Sequence, residues 1–229
     1  CIRDRSYHEH NKKEAGPKLI EALKEGHSVA QVSDAGMPVI SDPGADLVRL
    51  ALDEGIPVVP LPGPNAALTA LVASGLDARQ FAFIGFLPKI TAKRKKLLAD
   101  ISRVPLTLIF YEAPHRIKET MDVLIQSLGD RNAVTARELT KKFETFERGT
   151  LAELRSGMNE NDPRGEYVIL VEGWNESMEK EDEEETSWQD AAVTLAEGMP
   201  LKEAARKVSG RYNVSRREVY QYLLKHNDH

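Results

Sequence analysis

The sequence predicts a mixed α/β protein with two α/β domains, residues 1–88 and 89–175, and a small helical tail. Apolar runs of strand length alternate with amphipathic runs of helix length from residue 28 to residue 173. An acidic stretch, ESMEKEDEEE, then interrupts the alternation, and only helical periodicity follows it. These observations place a solvated linker at 176–186 and the tail at 187–229.

The first domain is expected to contain three strands separated by two helices. The strands are SVAQVS at 28–33, IPVVPL at 56–61 and FAFIGF at 81–86. Asp42 is a favoured N-cap, and Pro43 fits the first helical position, so the first helix should begin there. Asn65 should cap the second helix, and a glycine follows each helix. The alternation predicts a sheet rich in parallel pairs.

The second domain resumes the strand pattern after a basic segment. Its strands are LTLIFY at 106–111, NAVTARE at 132–138, FETFERG at 143–149 and GEYVILVEG at 165–173. An amphipathic helix, opened by Pro114 and ended by Gly129, follows the first of them. The middle two strands are too close for a crossover helix, so some pairing should be antiparallel. The tail predicts three short helices compatible with a helix-turn-helix module, the last capped by Ser215.

Charge is unevenly distributed along the chain. The net charge is −5, and residues 176–185 alone carry −6, so the remainder sums to +1. Six bases stand against one acid at 89–103, and seven against two at 202–225. Each segment taken alone is equally well a solvated helix face, but together they favour a polyanionic partner such as RNA. The candidate RNA-binding residues are Lys93, Arg94, Lys95, Lys96, Arg216 and Arg217.

Composition excludes several classes of protein. No apolar run is long enough to cross a bilayer, and the charged opening CIRDRSYHEHNKK does not resemble a signal peptide. The single cysteine excludes an internal disulfide framework and a cysteine-rich zinc site. We therefore expect a cytoplasmic protein. Neither a G-x-G-x-x-G nor a G-x-x-x-x-G-K-[ST] motif is present, so the usual nucleotide-binding signals are missing.

Three loops rich in proline, glycine and short polar residues follow predicted strands, at 34–44, 62–66 and 111–116. Ligands of parallel sheets bind outside the carboxyl ends of the strands, so the three loops together predict a ligand site. Any one of them alone could be only a tight turn. Asp34 and Asp42 could hold Mg²⁺, but Asp42 is a predicted N-cap and no third acid is near, so we expect no metal.

The segments VSDAGMPVISDPG, PLPGPNAALTALVASGL, FAFIGFLP, FYEAPHR, ARELTKKFETFERGT and PRGEYVILVEG occur in this order. In that order they closely resemble the ribosomal RNA small subunit methyltransferase I family of the tetrapyrrole methylase (class III) superfamily. The resemblance covers nearly the whole chain. It implies two α/β domains with S-adenosylmethionine in the cleft between them, usually in a homodimer. The implied reaction is methylation of a cytidine ribose 2′-hydroxyl in the decoding centre of 16S rRNA.

The resemblance also implies site residues. The matching cofactor-binding positions are Asp34, Ala35, Gly36, Met37, Pro38, Pro64, Asn65, Ala66, Phe110 and Tyr111. A ribose hydroxyl is a poor nucleophile that would profit from a nearby base or charged partner. The catalytic candidates are Glu112, Arg116 and Glu138, with His115 beside them. Glu112–Arg116 and Arg137–Glu138 could equally form a structural ion-pair network.

The chain departs from the family pattern at two places. Family members usually have threonine at the position of Met37, so a hydroxyl contact is expected to be missing. They also begin with a strand, a PTPIGN-type loop and an AEDTR-type segment ahead of the stretch matching SYHEHN. This chain starts at Cys1, so we expect a truncated or partial sequence whose cofactor pocket lacks that strand and loop.

Three other functions stay open at the level of sequence. They are a methylase acting on a tetrapyrrole or another small molecule, a non-catalytic RNA-binding remnant of the family, and a metal-dependent phosphoryl transferase. The basic segment and the helical tail disfavour the first, since a small metabolite needs neither. Cofactor binding would separate the second from the enzyme, and dependence on a divalent ion would identify the third.

Overall fold

The computed structural model describes residues 4–158, 165–176, 187–212 and 214–226. The chain forms two compact units, Cys1–Gly173 and Trp174–His229. The first unit contains the first predicted α/β domain and all but residues 174 and 175 of the second, and the division of the two domains at residue 88 stays a prediction. Almost all of the predicted linker, 177–186, lies outside the described residues. No helix in the described part of the chain is long and apolar enough to cross a bilayer.

The first unit contains six helices and five strands among its described residues. The helices are α1 (Lys12–Lys24), α2 (Ala45–Asp53), α3 (Ala66–Ser74), α4 (Thr91–Ile101), α5 (Ile117–Leu128) and α6 (Leu151–Gly157). The strands are β1 (Phe81–Phe86), β2 (Thr107–Glu112), β3 (Asn132–Arg137), β4 (Thr145–Thr150) and β5 (Tyr167–Val171). The described second unit contains α7 (Trp188–Gly198), α8 (Leu201–Tyr212) and α9 (Arg216–His226). The predicted α/β class with a helical tail is confirmed.

The five strands form one sheet in the order β1-β2-β5-β3-β4. Only β1 and β2 pair in parallel, and the pairs β2–β5, β5–β3 and β3–β4 are antiparallel. The parallel pairing predicted for the first domain is present at β1, its one predicted strand that enters this sheet, and the antiparallel pairing predicted between β3 and β4 is confirmed. Because β2 and β3 both run antiparallel to β5, the carboxyl ends of β1, β2 and β3 share one edge of the sheet.

Two predicted strands, 28–33 and 56–61, are not strands in the structure. Neither segment pairs with another described strand, and isolated extended chain cannot form a ladder. Most of their apolar side chains are exposed, with Val32 at 86% and Val59 at 77%. Sequence periodicity predicted extended chain here, but it carries no information on whether a neighbouring strand is present to pair with it.

The predicted start of the first intervening helix was also wrong. Helix α2 begins at Ala45, its N-cap is Gly44 with φ 133°, and the cap makes no side-chain hydrogen bond. Asp42 therefore does not cap this helix. The preceding turn is held instead by Gln31, whose side-chain amide donates to the Pro43 carbonyl at 2.8 Å. Likewise α5 begins at Ile117, after a turn that contains Pro114.

Alternate side chains of β2 divide the core between the two faces of the sheet. Leu108 and Phe110 pack with residues of α4, α5 and α6, whereas Ile109 packs with residues of α3. Helix α3 has the predicted cap, since Asn65 accepts the Leu68 N–H at 3.0 Å. It ends at Gly75, which has a left-handed φ of 84°.

The second unit has its own small core. Ala192, Ala204, Ala205, Val208, Val219 and Leu223 are buried among its three helices. The predicted cap of the last helix is confirmed, because Ser215 Oγ accepts the Glu218 N–H at 3.2 Å. Trp188 packs edge-on against Tyr222, with ring centroids 5.1 Å apart.

Substitution of Gly173 by alanine is expected to destabilise the first unit by about 2 kcal/mol. A methyl group on Gly173 would lie 2.5 Å from the Leu106 nitrogen and 2.6 Å from the Pro105 carbonyl carbon, which are backbone atoms that cannot rotate away. Gly157→Ala is the matched control, because nothing lies within 4 Å of its new methyl group. That control should be neutral or stabilising. Urea unfolding followed by circular dichroism measures both, and equal stability of the two variants would contradict the prediction.

Candidate functional site

The first two glycine- and proline-rich loops lie against each other in the structure. A methyl group built on Gly36 would stand 3.6 Å from the Pro64 carbonyl oxygen, and one on Gly63 would stand 3.2 Å from Met37 Cγ. Gly36 also has a φ of 76°, which favours glycine. The segments predicted to bind the cofactor, Asp34–Pro38 and Pro64–Ala66, are thus brought together by backbone that approaches closely.

Tyr111, near the end of β2, connects this pair of loops to the sheet. Its hydroxyl accepts the Ala67 N–H at 3.0 Å, in the first turn of α3. Its ring lies edge-on to Phe83 and Phe86, with centroids 5.0 and 5.7 Å away. Burial raises the pKa of the Tyr111 hydroxyl, partly offset by the Ala67 N–H, so the hydroxyl stays neutral at physiological pH.

The opposite end of α3 is attached to the sheet by Arg148 of β4. Its guanidinium donates to the Ala73 carbonyl at 2.5 Å and to the Ser74 carbonyl at 3.3 Å. These carbonyls lie in the last turn of the helix, where backbone acceptors lack helical partners and a cation is favourable. Because both ends of α3 are attached to the sheet, the loop that precedes it has a fixed position.

The loop before α2 has an unusual backbone. Val39 and Ser41 have φ values of 76° and 56°, in a region that non-glycine residues seldom occupy. A methyl group on Gly85 of β1 would lie 3.2 Å from Ser41 Oγ, so this loop also approaches β1 of the sheet. Strained backbone of this kind clusters at ligand-binding sites.

The groups that a ligand could contact differ among the predicted positions. Asp34, Ala35 and Gly36 are exposed, and Asp34 has no hydrogen bond or ion pair within the part of the chain that the structure describes. The Phe110 side chain is fully buried in the core, so its predicted cofactor contact can involve only its backbone. Its neighbour Tyr111 is not buried in the same way, because successive side chains of a strand point to opposite faces of the sheet.

Glu112 is fully buried, and both of its oxygens are occupied. Oε2 accepts the Thr120 hydroxyl at 2.6 Å, and Oε1 accepts the Ala113 N–H at 2.9 Å. Arg116 Nη1 stands 3.6 Å from Oε1, so the ion pair proposed as the structural alternative is present. This arrangement fixes the turn between β2 and α5.

Glu138 is placed differently, at the carboxyl end of β3. Its φ is 51°, its side chain is 23% exposed, and its carboxylate pairs with Lys141 at 3.1 Å. The predicted partner Arg137 makes no ion pair with it. Glu138 also folds over Gly165, where any Cβ would collide with its carboxylate. His115, which was named beside the catalytic candidates, is exposed in the turn that follows Glu112.

The predicted RNA-binding residues divide into two groups. Arg94 is only 10% exposed at its side chain and pairs with Glu119 of α5 at 2.8 Å, so its role is to join two helices. The prediction that it faces RNA is therefore wrong. The remaining predicted bases are exposed, namely Lys93, Lys95 and Lys96 in the first unit and Arg216 and Arg217 in the second.

Several residues that organise the site were not predicted from the sequence. The Tyr111 hydroxyl bond and the Arg148 contacts join positions 44 and 75 residues apart, and no local pattern signals them. Phe83 and Phe86, which both contact Tyr111, lie on the edge strand β1, and the sequence gives no signal of that contact either. Among the described residues, no group of three or more histidine, cysteine or acidic side chains is arranged to bind a metal.

Comparison with known proteins identifies relatives over most of the chain. Residues 2–155 match the family described as Tetrapyrrole (Corrin/Porphyrin) Methylases, and residues 182–227 match the RsmI C-terminal HTH domain. The Ribosomal RNA small subunit methyltransferase I of Bacillus subtilis (strain 168) is 49% identical over 94% of this chain and 75% of its own length. The protein of the same name from Mesorhizobium japonicum is 43% identical over 99% of this chain and 76% of its own.

Solved structures support the fold independently. The methyltransferase CobJ aligns with a TM-score of 0.53 at 23% identity, over 69% of this chain and 70% of CobJ. Cobalt precorrin-4 methyltransferase, CbiF, aligns with a TM-score of 0.52 at 21% identity, over 71% of this chain and 70% of CbiF. Given the sequence identity to curated relatives across most of its length, the chain belongs to the ribosomal RNA small subunit methyltransferase I family of the tetrapyrrole methylases.

Proposed function

We propose that this chain transfers a methyl group from S-adenosylmethionine to the ribose 2′-hydroxyl of a cytidine in the decoding centre of 16S rRNA. One observation carries the proposal. Loops 34–38 and 62–66 meet beside Tyr111, at the edge of a methylase sheet in a chain of an rRNA methyltransferase family. We further propose that the chain acts as a cytoplasmic homodimer on the small ribosomal subunit or its RNA.

The residues at the meeting point fit S-adenosylmethionine. Gly36 and Gly63 have no side chain to fill the space between the two loops. The Asp34 carboxylate, which has no partner among the described residues, is a suitable acceptor for the ammonium or hydroxyl groups of the cofactor. Tyr111, with Phe83 and Phe86, supplies the apolar and aromatic wall that small-molecule sites usually have.

The chemistry depends chiefly on positioning. The cofactor supplies a methyl group on a sulfonium, which already carries its leaving group. The chain must therefore hold the ribose hydroxyl in line and exclude competing water, and such orientation accounts for much of an enzyme's acceleration. The attachment of α3 to the sheet at both ends, through Tyr111 and Arg148, provides this rigidity.

Of the two candidate carboxylates, we propose Glu138 as the group that accepts a hydrogen bond or proton from the ribose hydroxyl. A general base must be within reach of its proton, and the Glu138 side chain is partly exposed at the carboxyl edge. Glu112 is buried with both oxygens bonded, so we assign it to positioning the β2–α5 turn. Arg116, paired with Glu112 and 16% exposed at its side chain, is the candidate clamp for a substrate phosphate.

Two other functions remain alternatives. A non-catalytic RNA-binding protein would use the exposed lysines of α4 and the basic tail without binding the cofactor. A small-molecule methylase is compatible with the fold shared with CobJ and CbiF, but it would not need the exposed lysines at 93, 95 and 96. Titration with S-adenosylmethionine distinguishes the first alternative from the proposed enzyme. An assay of methyl transfer to small-subunit RNA distinguishes the second.

Asp34→Asn is expected to weaken S-adenosylmethionine binding by about tenfold or more, since a charge-assisted hydrogen bond becomes a neutral one. Isothermal titration calorimetry of the unmodified 229-residue chain and the variant measures the difference. Asp53→Asn in α2 is the matched control, because this aspartate is also exposed and should leave binding unchanged. Unmodified chain that does not bind S-adenosylmethionine would contradict the proposed function itself.

Glu138→Gln should lower kcat for methyl transfer to small-subunit RNA by about 100-fold, the usual contribution of a positioned base. Cofactor affinity should stay unchanged.

Glu112→Gln should lower kcat by less than about tenfold, because an amide still accepts and donates within the same turn. Glu112→Ala should cost about 2–3 kcal/mol of unfolding free energy by leaving buried groups without partners. Radiolabelled methyl-transfer kinetics decide the assignment, which reverses if Glu112→Gln is inactive while Glu138→Gln is active.

A further inference from the structure

The hairpin tip between β3 and β4 (residues 138–144) stands beside the candidate site. Arg137 at the end of β3 and Glu112 at the end of β2 both pair with Tyr167 of β5. The tip therefore leaves the sheet at the edge that carries Tyr111, two strands away. Neighbouring strands are about 4.8 Å apart, so the two strand ends are about 10 Å apart. That distance is comparable to the span of one or two nucleotides.

Local hydrogen bonds hold the tip in one conformation. The Thr140 N–H donates to Glu144 Oε2 at 2.7 Å, and the Lys141 N–H donates to the Glu138 carbonyl at 2.9 Å. Glu138 and Thr140 have φ values of 51° and 64°, so the turn is tight and has a defined shape. A tip that is already ordered loses little conformational entropy when it binds a partner.

Phe143 projects from this ordered tip into solvent. It is 70% exposed, and Lys142 Nζ lies 5.6 Å from its ring centroid. Phe146, three residues later, packs against the core, so the exposure is particular to the tip residue. An ordered turn that presents a large aromatic ring beside a cation has both groups needed to bind a nucleobase and its phosphate.

The charges on the tip and its flanking strands favour an anionic partner at Lys142 in particular. Glu144 is bonded to the Thr140 N–H, Glu138 to Lys141, and Glu147 to the Thr135 hydroxyl at 3.4 Å. Of the two arginines on the flanking strands, Arg137 is half-buried at the base of the hairpin, and Arg148 donates to carbonyls at the end of α3. Within the described residues no carboxylate lies within ion-pair distance of Lys142. Its ammonium is therefore available to a phosphate.

We propose that the β3–β4 hairpin tip contacts RNA directly, with Phe143 stacked on an unpaired nucleobase and Lys142 bound to a neighbouring phosphate. The inference rests on the proposed rRNA methylation and adds to it the residues that hold the substrate near the methyl donor. Single-stranded RNA is the fitting partner, since its bases can stack on an aromatic side chain whereas those of a duplex cannot. The contact tolerates any base, so it holds the strand while other residues select the nucleotide.

The test is methyl-transfer kinetics with small-subunit rRNA, together with fluorescence anisotropy on a labelled single-stranded RNA oligonucleotide. Phe143→Ala should raise the Kd for the oligonucleotide and the KM for rRNA by about fivefold or more, with S-adenosylmethionine affinity unchanged. Phe143→Trp should bind at least as well as the unmodified chain. Phe81→Ala is the matched control, an exposed phenylalanine (39%) at the opposite end of β1, and it should change neither value.

Salt dependence separates the two contacts. Lys142→Ala should reduce the slope of log affinity against log salt by about 0.7, the value for one phosphate contact on a single strand. Phe143→Ala should leave that slope unchanged while lowering affinity at every salt concentration. A merely structural role for either residue would not produce this division.

The outcomes also separate this inference from the proposed function. If the unmodified chain methylates rRNA and Phe143→Ala leaves KM and Kd unchanged, the hairpin contact is overturned and the methyltransferase assignment stands. If Phe143→Ala weakens RNA binding and Phe143→Trp restores it, the contact is supported. If the unmodified chain neither binds RNA nor methylates it, both proposals fall.

Discussion

The hydrogen bond from the Ala67 N–H to the Tyr111 hydroxyl is the interaction on which the candidate site depends. The first N–H groups of a helix have no partner within the helix. In α3, Asn65 satisfies that of Leu68, and a side chain from the sheet satisfies that of Ala67. The sheet therefore fixes where α3 begins, and with it the position of the loop that contains Gly63 and Pro64. Together with the close approach of Ser41 to Gly85 of β1, this bond sets the relation of the two glycine-rich loops to the strand ends.

Strand register determines which side chains of β2 face the candidate site and which fill the core. Side chains alternate between the two faces, so Phe110 fills the core under α5 while Tyr111 contacts α3. A slip of one residue would exchange these roles and bury the hydroxyl without a partner. The antiparallel pairing with β5 on one side and the parallel pairing with β1 on the other both resist such a slip. The core and the site are therefore specified by the same ladder of hydrogen bonds.

The sequence predicted those features whose signals are local. The cap at Asn65, the left-handed Gly75 and all five strands of the sheet follow from residue type and periodicity over a few positions. The failures share one cause, which is dependence on a distant partner. The segments 28–33 and 56–61 have strand-like composition but no ladder partner among the described residues. The burial of Arg94 depends on Glu119 of another helix, 25 residues away. The site shows the same division, since its loops were predicted from their composition but the bond that positions them was not.

The two acidic candidates show how burial and backbone strain separate residues that look alike in sequence. Glu112 ends β2 and Glu138 follows β3 at the same sheet edge, and residue type alone gives no reason to prefer either. A buried carboxylate must be satisfied by hydrogen bonds, and Glu112, which is satisfied in this way and fully buried, presents no exposed oxygen to a substrate. Glu138 has a left-handed backbone, which costs stability and is typical of functional sites, and a partly exposed side chain that a substrate can reach. The same left-handed turn projects Phe143 into solvent, so one strained segment can provide both the acceptor for a ribose hydroxyl and the surface that holds its strand.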